Sequence, residues 1–325
     1  MLGANSFSGQ DFVDLVLSAT DDKVIGISRS PERTDLFLSY KLRKNLSRYR
    51  YFELDMNKDM NEILKLMDSE KPGYIVNFAA QSEVAPSWES PEDWFSTNTV
   101  ALAKLINHLR KRNYLHKYLH ISSPEIYGNC VGNITEQTNA NPSTPYAVSK
   151  AAADMLLQVY YKQFNFPVSI VRATNVYGPR QQLFKIIPRT AIYLNLGKSI
   201  GLHGGGSAIK SYIHVRDVSR GELLVLESGN NGGIYNLSPE KGVSVKNVVG
   251  LICQHMGKNI DDNVIMERER PGQDAAYIID SSKIRSEMGW APSINLEDGI
   301  SEVVDWISKY WRDIQKESLE YNHKI

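Results

Sequence analysis

The sequence predicts an α/β fold, a doubly wound parallel sheet followed by a smaller mixed α/β lobe. Three observations carry that expectation. Short runs rich in Val, Ile, Tyr and Phe alternate with helix-period segments through the first two-thirds of the chain. A glycine-containing turn, Gly3-Ala4-Asn5-Ser6-Phe7-Ser8-Gly9, stands where a first strand would pass into a first helix. The last third then loses the alternation, with glycines crowding at Gly201, Gly204, Gly205 and Gly206. Strand–helix alternation puts helices on both faces of a parallel sheet and ligands at the carboxyl ends of its strands, the Rossmann-type arrangement.

Strands are expected at residues 23–27 (KVIGI), 50–54 (RYFEL), 74–78 (YIVNF), 117–122 (KYLHIS) and 168–172 (VSIVR). Helices are expected at 9–19, 59–68, 92–112 and 145–164, with later amphipathic helices at 243–256 and 296–311. Residues 1–180 read as the dinucleotide-binding domain and 181–325 as the substrate lobe, with segments free to cross between them. No Pro/Ser-rich linker separates the two, so they should pack as one body. Only Met1 and Leu2 precede the glycine turn, too few for the central strand such a sheet needs. The expectation is a first strand truncated here and beginning upstream in the native chain.

Composition narrows the function. The 325 residues are 42% hydrophobic, and 37 Lys+Arg balance 37 Asp+Glu, so no nucleic-acid surface is implied. Cys130 and Cys253 are too few and too far apart for a disulfide framework or a paired-cysteine metal motif. The seven histidines show no HExxH spacing, so no metal is expected. No apolar run approaches the ~18 residues of a membrane span, and the opening residues lack the pattern of a signal peptide. A cytoplasmic protein is expected.

The motifs add chemistry. Gly3, Ser6 and Gly9 with the helix they open can seat a pyrophosphate, although Ser6 stands where a glycine is more usual. The second strand ends in Ser28 and Arg29 with no acidic residue, which suits the 2′-phosphate of NADP, with NAD as the alternative. Asp55 closes the third strand as a contact for the adenine edge. Tyr146 and Lys150 lie four apart on a helix, hence on one face. An ammonium there should lower the tyrosine pKa and make Tyr146 an acid/base for alcohol oxidation. Ser123, at a strand end, can bond the same oxygen, and Glu125 can reach the same cleft to remove a proton beside a new ketone. The segment 171–180 (VRATNVYGPR), carrying Asn175, should reach the site mouth. Lys185, Lys210, Arg216 and Arg270 are a set of cations suited to a diphosphate, although each alone reads as a surface charge.

Together these residues resemble the extended short-chain dehydrogenase/reductases, in the branch of nucleotide-sugar 4,6-dehydratases and epimerases. The likeness runs over nearly the whole chain. Residues 77–82 (NFAAQS) look like the family's cofactor-lining segment, which brings in Ala79, Ala80 and Ser82, the last also facing substrate. Phe7, Ser8, Met56 and Asn98 join the cofactor set on the same ground. Residues 270–274 (RPGQD) and 288–292 (MGWAP) are similar to late family signatures. Ser123-Pro124-Glu125 before Ile126-Tyr127-Gly128 resembles the dehydratases, since epimerases of the group usually lack the carboxylate. The whole looks most like the GDP-mannose 4,6-dehydratases. Pro124 departs from the dTDP-glucose enzymes, which carry an aspartate there as acid for water loss.

The resemblance implies a cycle without net cofactor use. Tyr146 takes the 4-hydroxyl proton as hydride leaves C4, Lys150 supports Tyr146, and Ser123 fixes the 4-oxygen. Glu125 removes the C5 proton and returns one to the departing C6 hydroxyl. The expected product is a 4-keto-6-deoxy nucleotide sugar in polysaccharide biosynthesis, with a GDP-sugar as favoured substrate. A homodimer or tetramer is implied through helices 92–112 and 145–164. A 4-epimerase, a simple 4-dehydrogenase and a non-catalytic nucleotide-binding protein stand as alternatives.

Overall fold

The computed structural model describes residues 1–130, 132–268 and 276–323. The first half runs α1 (Phe7–Ala19), β1 (Val24–Ser28), β2 (Tyr49–Glu53), α2 (Met60–Glu70), β3 (Tyr74–Asn77), α3 (Pro91–Phe95), α4 (Leu102–Leu109), β4 (Lys117–Ile121), α5 (Pro145–Phe164) and β5 (Val168–Ala173). Next come β6 (Asn175–Tyr177), α6 (Ile186–Asn195), β7 (Ile200–His203), β8 (Ile209–Lys210), β9 (Tyr212–His214), α7 (Val215–Ser228) and β10 (Ile234–Leu237). The rest is β11 (Val243–Ser244), α8 (Val245–His255), β12 (Val264–Glu267), β13 (Ala276–Tyr277), α9 (Ser282–Met288), α10 (Leu296–Lys309) and α11 (Trp311–Ile314).

The large sheet is parallel throughout. Its strands pair in two groups, β2 with β1, and β3-β4-β5-β10 in that order. Residues 1–3 join the two groups. Leu2 bridges both Ile27 and Asn77, its N–H bonding Val76 O at 2.9 Å and its carbonyl accepting from Phe78 N at 2.8 Å. The Met1 amino group donates to Ile25 O at 2.7 Å. Three residues thus hold the place of the central strand that the glycine turn implies.

Each face of the sheet carries its own core, which makes the fold doubly wound. One is built from Phe12 and Val13 of α1, Val218 and Val225 of α7, and Tyr235 of β10. The other takes Ile63 of α2, Leu102 and Leu105 of α4, and Leu157 of α5. Truncating any of these buried side chains to Ala should cost about 2–5 kcal/mol.

The division near residue 180 is not a clean cut. β10 extends the large sheet beside β5, in register Ile234 with Ile170, and α7 packs against α1. The remainder forms the small lobe, with β7 parallel to β12, β11-β8-β13, and a core between α6, α8 and α10. Cys130 and Cys253 are both buried and not joined in a disulfide. No helix among the described residues is long and apolar enough to cross a membrane.

Residues 91–109 are helical, but not uniformly α. Ser96–Ala101 forms a π-helical turn between α3 and α4. The turn carries Asn98, whose Oδ1 accepts from Gln81 N at 2.9 Å while its Nδ2 donates to Gln81 O at 3.0 Å and Ser149 Oγ at 2.9 Å. Inserted π turns recur at functional sites, and this one ties the loop after β3 to α5.

Candidate active site

The glycine turn has the shape a pyrophosphate needs. Gly3 has φ +78°, and a Cβ there would sit 2.7 Å from Ala79 N, so only glycine fits. A side chain at Gly9 would collide with the Gly3 carbonyl. Ser6 caps α1, its Oγ accepting from Gly9 N at 3.1 Å. The capping bond explains a serine where glycine is usual. Phe7 and Ser8 open the helix, where N–H groups lack intrahelical partners and the helix dipole is positive. This is a fit for the diphosphate of a dinucleotide.

Asn5, passed over in the sequence, organises the end of β1. Its N–H donates to Ser28 Oγ at 3.0 Å, and its side chain bonds Ser30 Oγ, Pro31 O and Arg33 N. Ser28 therefore anchors the turn, while Arg29 beside it is exposed. Asp55 and Met56 are buried just past β2, with Asp55 Oδ1 accepting from Asn57 N at 2.7 Å. Ala79, Ala80 and Ser82 follow β3, with Ala79 N bonded to Asn77 Oδ1 at 3.0 Å.

The reactive group forms where β4 and α5 meet. Ser123 caps a short 3₁₀ turn, Pro124–Tyr127, that turns Glu125 into the cleft. Ser123 Oγ lies 3.3 Å from both Glu125 Oε2 and Glu125 N. Thr144 caps α5 with Pro145 in its first turn, which sets Tyr146 beside Ser123 and Lys150 one turn deeper. Tyr146 N donates to Ser87 Oγ at 3.2 Å. Lys150 is buried, and its ammonium donates to Ile121 O at 2.7 Å, with His120 Nε2 at 3.5 Å.

Three titratable groups of this cluster are displaced by their surroundings. Burial pushes the phenol well above its ordinary range, the Glu125, Glu83 and Asp154 carboxylates push it further, and a hydrogen bond from Ser123 opposes them. Burial also lowers Lys150 itself to about 8, against the attraction of Asp154. Glu125, at the cleft wall, is pushed up to about 7 by burial, with Lys185, Lys210 and the Ser123 bond opposing and Glu83 adding. The chain alone thus poises a carboxyl and an ammonium near neutrality.

Beneath these groups lies a buried polar network. Arg172 of β5 bonds Asp154 Oδ2 at 2.8 Å and Tyr127 Oη at 2.5 Å, and Ser122 Oγ donates to Asp154 at 2.8 Å. Arg172 therefore faces inward and not to the site mouth. Asn175, from the same segment, does line the cleft.

The cleft encloses about 1040 Å³ between the lobes, and Ser82, Glu125, Asn175, Lys185 and Lys210 all line it. Lys185 pairs with Glu83 at 2.8 Å. Arg216 is not brought there. It is exposed on α7 and paired with Glu302. Arg270 lies outside the described residues. Glu83 and Arg189, also in the lining, escaped the sequence reading. Arg189 stands four residues after Lys185 in α6, a spacing that signals one face. Among the described residues no group of His, Cys, Asp and Glu is arranged to hold a metal.

Comparison with known proteins fits this geometry. Residues 1–303 match the family described as GDP-mannose 4,6 dehydratase. A dTDP-glucose 4,6-dehydratase of Haemophilus influenzae is 30% identical over 327 residues, covering 94% of this chain and 96% of the relative. A crystal structure of a dTDP-glucose 4,6-dehydratase from Streptomyces venezuelae with NAD bound superposes with a TM-score of 0.86 at 28% identity, covering 95% and 96% of the two chains. A UDP-glucose 4-epimerase of Thermotoga maritima with UDP-glucose gives a TM-score of 0.85 at 25% identity, covering 95% and 98%.

Proposed function

The chain belongs to the GDP-mannose 4,6-dehydratase family, and we propose that it converts a nucleotide-linked hexose to the 4-keto-6-deoxy sugar. The observation that carries this is the cluster in which Ser123 contacts both Glu125 and Tyr146, with Glu125 lining the cleft and poised at about 7 and Lys150 buried one helical turn beyond Tyr146. A nicotinamide dinucleotide, when bound, supplies the hydride acceptor and donor together with a positive charge. Gly3, Ser6, Phe7, Ser8 and Gly9 would hold its diphosphate, with Ser28, Arg29, Asp55, Met56, Ala79 and Ala80 along the adenosine side. Arg29 at a strand end without a carboxylate favours NADP, whereas the Streptomyces relative carries NAD.

Tyr146 Oη takes the proton of the sugar 4-hydroxyl and Ser123 Oγ holds that oxygen. Lys150, fixed on the Ile121 carbonyl, keeps positive charge beneath the forming phenolate. Glu125 then takes the C5 proton made acidic by the 4-ketone. A carboxyl with a pKa of about 7 is ionised often enough to accept that proton and, once protonated, acid enough to hand one to the departing C6 hydroxyl. This removes the need for a second acid at position 124, where Pro124 has no proton to give. Lys185, Lys210 and Asn175 would take the diphosphate side of the substrate.

Pro124 and the family matched favour a GDP-sugar. The homodimer reading rests on α5, which exposes Val148, Met155 and Val159 at spacings of one helix face, beside exposed Val100. A cytoplasmic setting belongs to this reading, supported by two buried thiols outside any disulfide and by the nucleotide-sugar substrate. The test is mass spectrometry of products from GDP-, UDP-, dTDP- and CDP-hexoses with NADP or NAD. A product lighter by one water without net reduced cofactor supports the reading and names the base. An isomer of unchanged mass makes the protein a 4-epimerase, and stoichiometric reduced cofactor makes it a dehydrogenase.

A further inference from the structure

Beyond α11, the segment 315–323 runs along the cleft and touches both lobes. Its start lies near the cofactor side, where Glu317 acts electrostatically on Arg33. Leu319, Glu320 and Tyr321 then form part of the cleft lining. The Tyr321 ring meets Phe184 of the small lobe edge-on, centroids 5.5 Å apart at 77°. The segment finishes on the other lobe, where the His323 ring stacks on Trp94 at 5.0 Å and 11°.

His323 uses both ring nitrogens. Nε2 lies 2.8 Å from Asp93 Oδ2, and Nδ1 lies 3.2 Å from Tyr321 Oη. With the proton on Nε2, the imidazole donates to Asp93 and accepts from the phenol, so the chain Tyr321–His323–Asp93 fixes the Tyr321 ring. Trp94, fully buried, gives this latch an apolar floor. The Tyr321 phenol is also within electrostatic reach of Glu83 and Arg29, residues of the sugar side and the cofactor side respectively.

Resting on the function proposed above, we propose that Tyr321 is a substrate-positioning residue supplied by this segment. It closes the cleft over the bound nucleotide sugar, and His323, anchored on Asp93 and Trp94, holds it in place. His323 is not part of the cleft lining. An effect of His323 on substrate binding would therefore have to pass through Tyr321.

The test uses the full chain with Tyr321→Ala, Tyr321→Phe, His323→Ala and the double variant Tyr321→Ala/His323→Ala. Calorimetric binding of GDP, UDP and dTDP is measured beside KM and kcat, with melting temperature as the folding control. Tyr321→Ala should weaken the tightest-bound nucleoside diphosphate and raise KM about ten-fold while kcat changes less than about three-fold. Tyr321→Phe keeps the ring contact and should fall between it and the parent. His323→Ala should reproduce most of the loss, and the double variant should be no worse than Tyr321→Ala, the mark of a coupled pair. Unchanged Kd and KM in Tyr321→Ala, or losses that simply add, would overturn the proposal. Binding that depends on Tyr321 in a parent that releases no dehydrated product would sustain this role and refute the dehydration reading.

Discussion

Replacing Glu125 with Gln should make the protein more stable above neutrality while removing water elimination. An ordinary glutamate ionises near 4.5, and burial brings Glu125 up to about 7. The sign follows from proton binding. Between those values the folded state holds a proton that the unfolded state has released, so the contribution favours folding at low pH and is lost as pH rises through about 7. The full displacement corresponds to ~3 kcal/mol. Glu125 is partly accessible at the cleft wall, so about 2 kcal/mol is the expected cost of its charge at pH 8.5. Gln keeps an acceptor for Ser123 and carries no charge. Urea unfolding of parent and Glu125→Gln across pH 4.5–8.5 measures the difference directly. The two should coincide near pH 4.5 and diverge by about 2 kcal/mol at pH 8.5, with the variant the more stable. Parallel stability curves would refute the argument, since Glu125 would then have an ordinary pKa and no poise for acid/base work.

Three other perturbations follow from the same structure. Asp154→Ala leaves Arg172 buried without its carboxylate and should cost about 3–5 kcal/mol in denaturant unfolding, whereas replacing both partners with apolar residues should cost far less. Asn98→Ala unfastens the loop after β3 from α5 and should lose about 1–3 kcal/mol, with a raised KM for the nicotinamide cofactor in steady-state assays. Gly3→Ala forces a Cβ against Ala79 at positive φ and should abolish cofactor binding in fluorescence titration while the fold survives by circular dichroism.

What the sequence made legible divides along physical lines. α5 was readable to the residue because its limits are local, a Thr144 cap with Pro145 behind it and Asn165 in the left-handed region at its end. The central strands β3, β4 and β5 were readable because both their faces are buried and their apolar runs are nearly continuous. The π turn at Ser96–Ala101 was not, since it answers to Asn98 partners on other elements. β10 looked like part of the second lobe because nothing local says that Ile234 pairs beside Ile170. Within the site, Ser123, Glu125, Tyr146 and Lys150 could be found by spacing. Arg216 was misplaced because a cation at a helix start reads the same whether it meets a cleft or Glu302. Asn5, Glu83 and Tyr321 carry no motif, and only tertiary contact reveals them.

The most direct measurement follows a single hydrogen. A GDP-hexose labelled with deuterium at C4, incubated with the protein and its nicotinamide cofactor, should give a product lighter by one water that carries the label at C6. Deuterium found at C4 of an isomer of unchanged mass, or left on released reduced cofactor, would contradict the account.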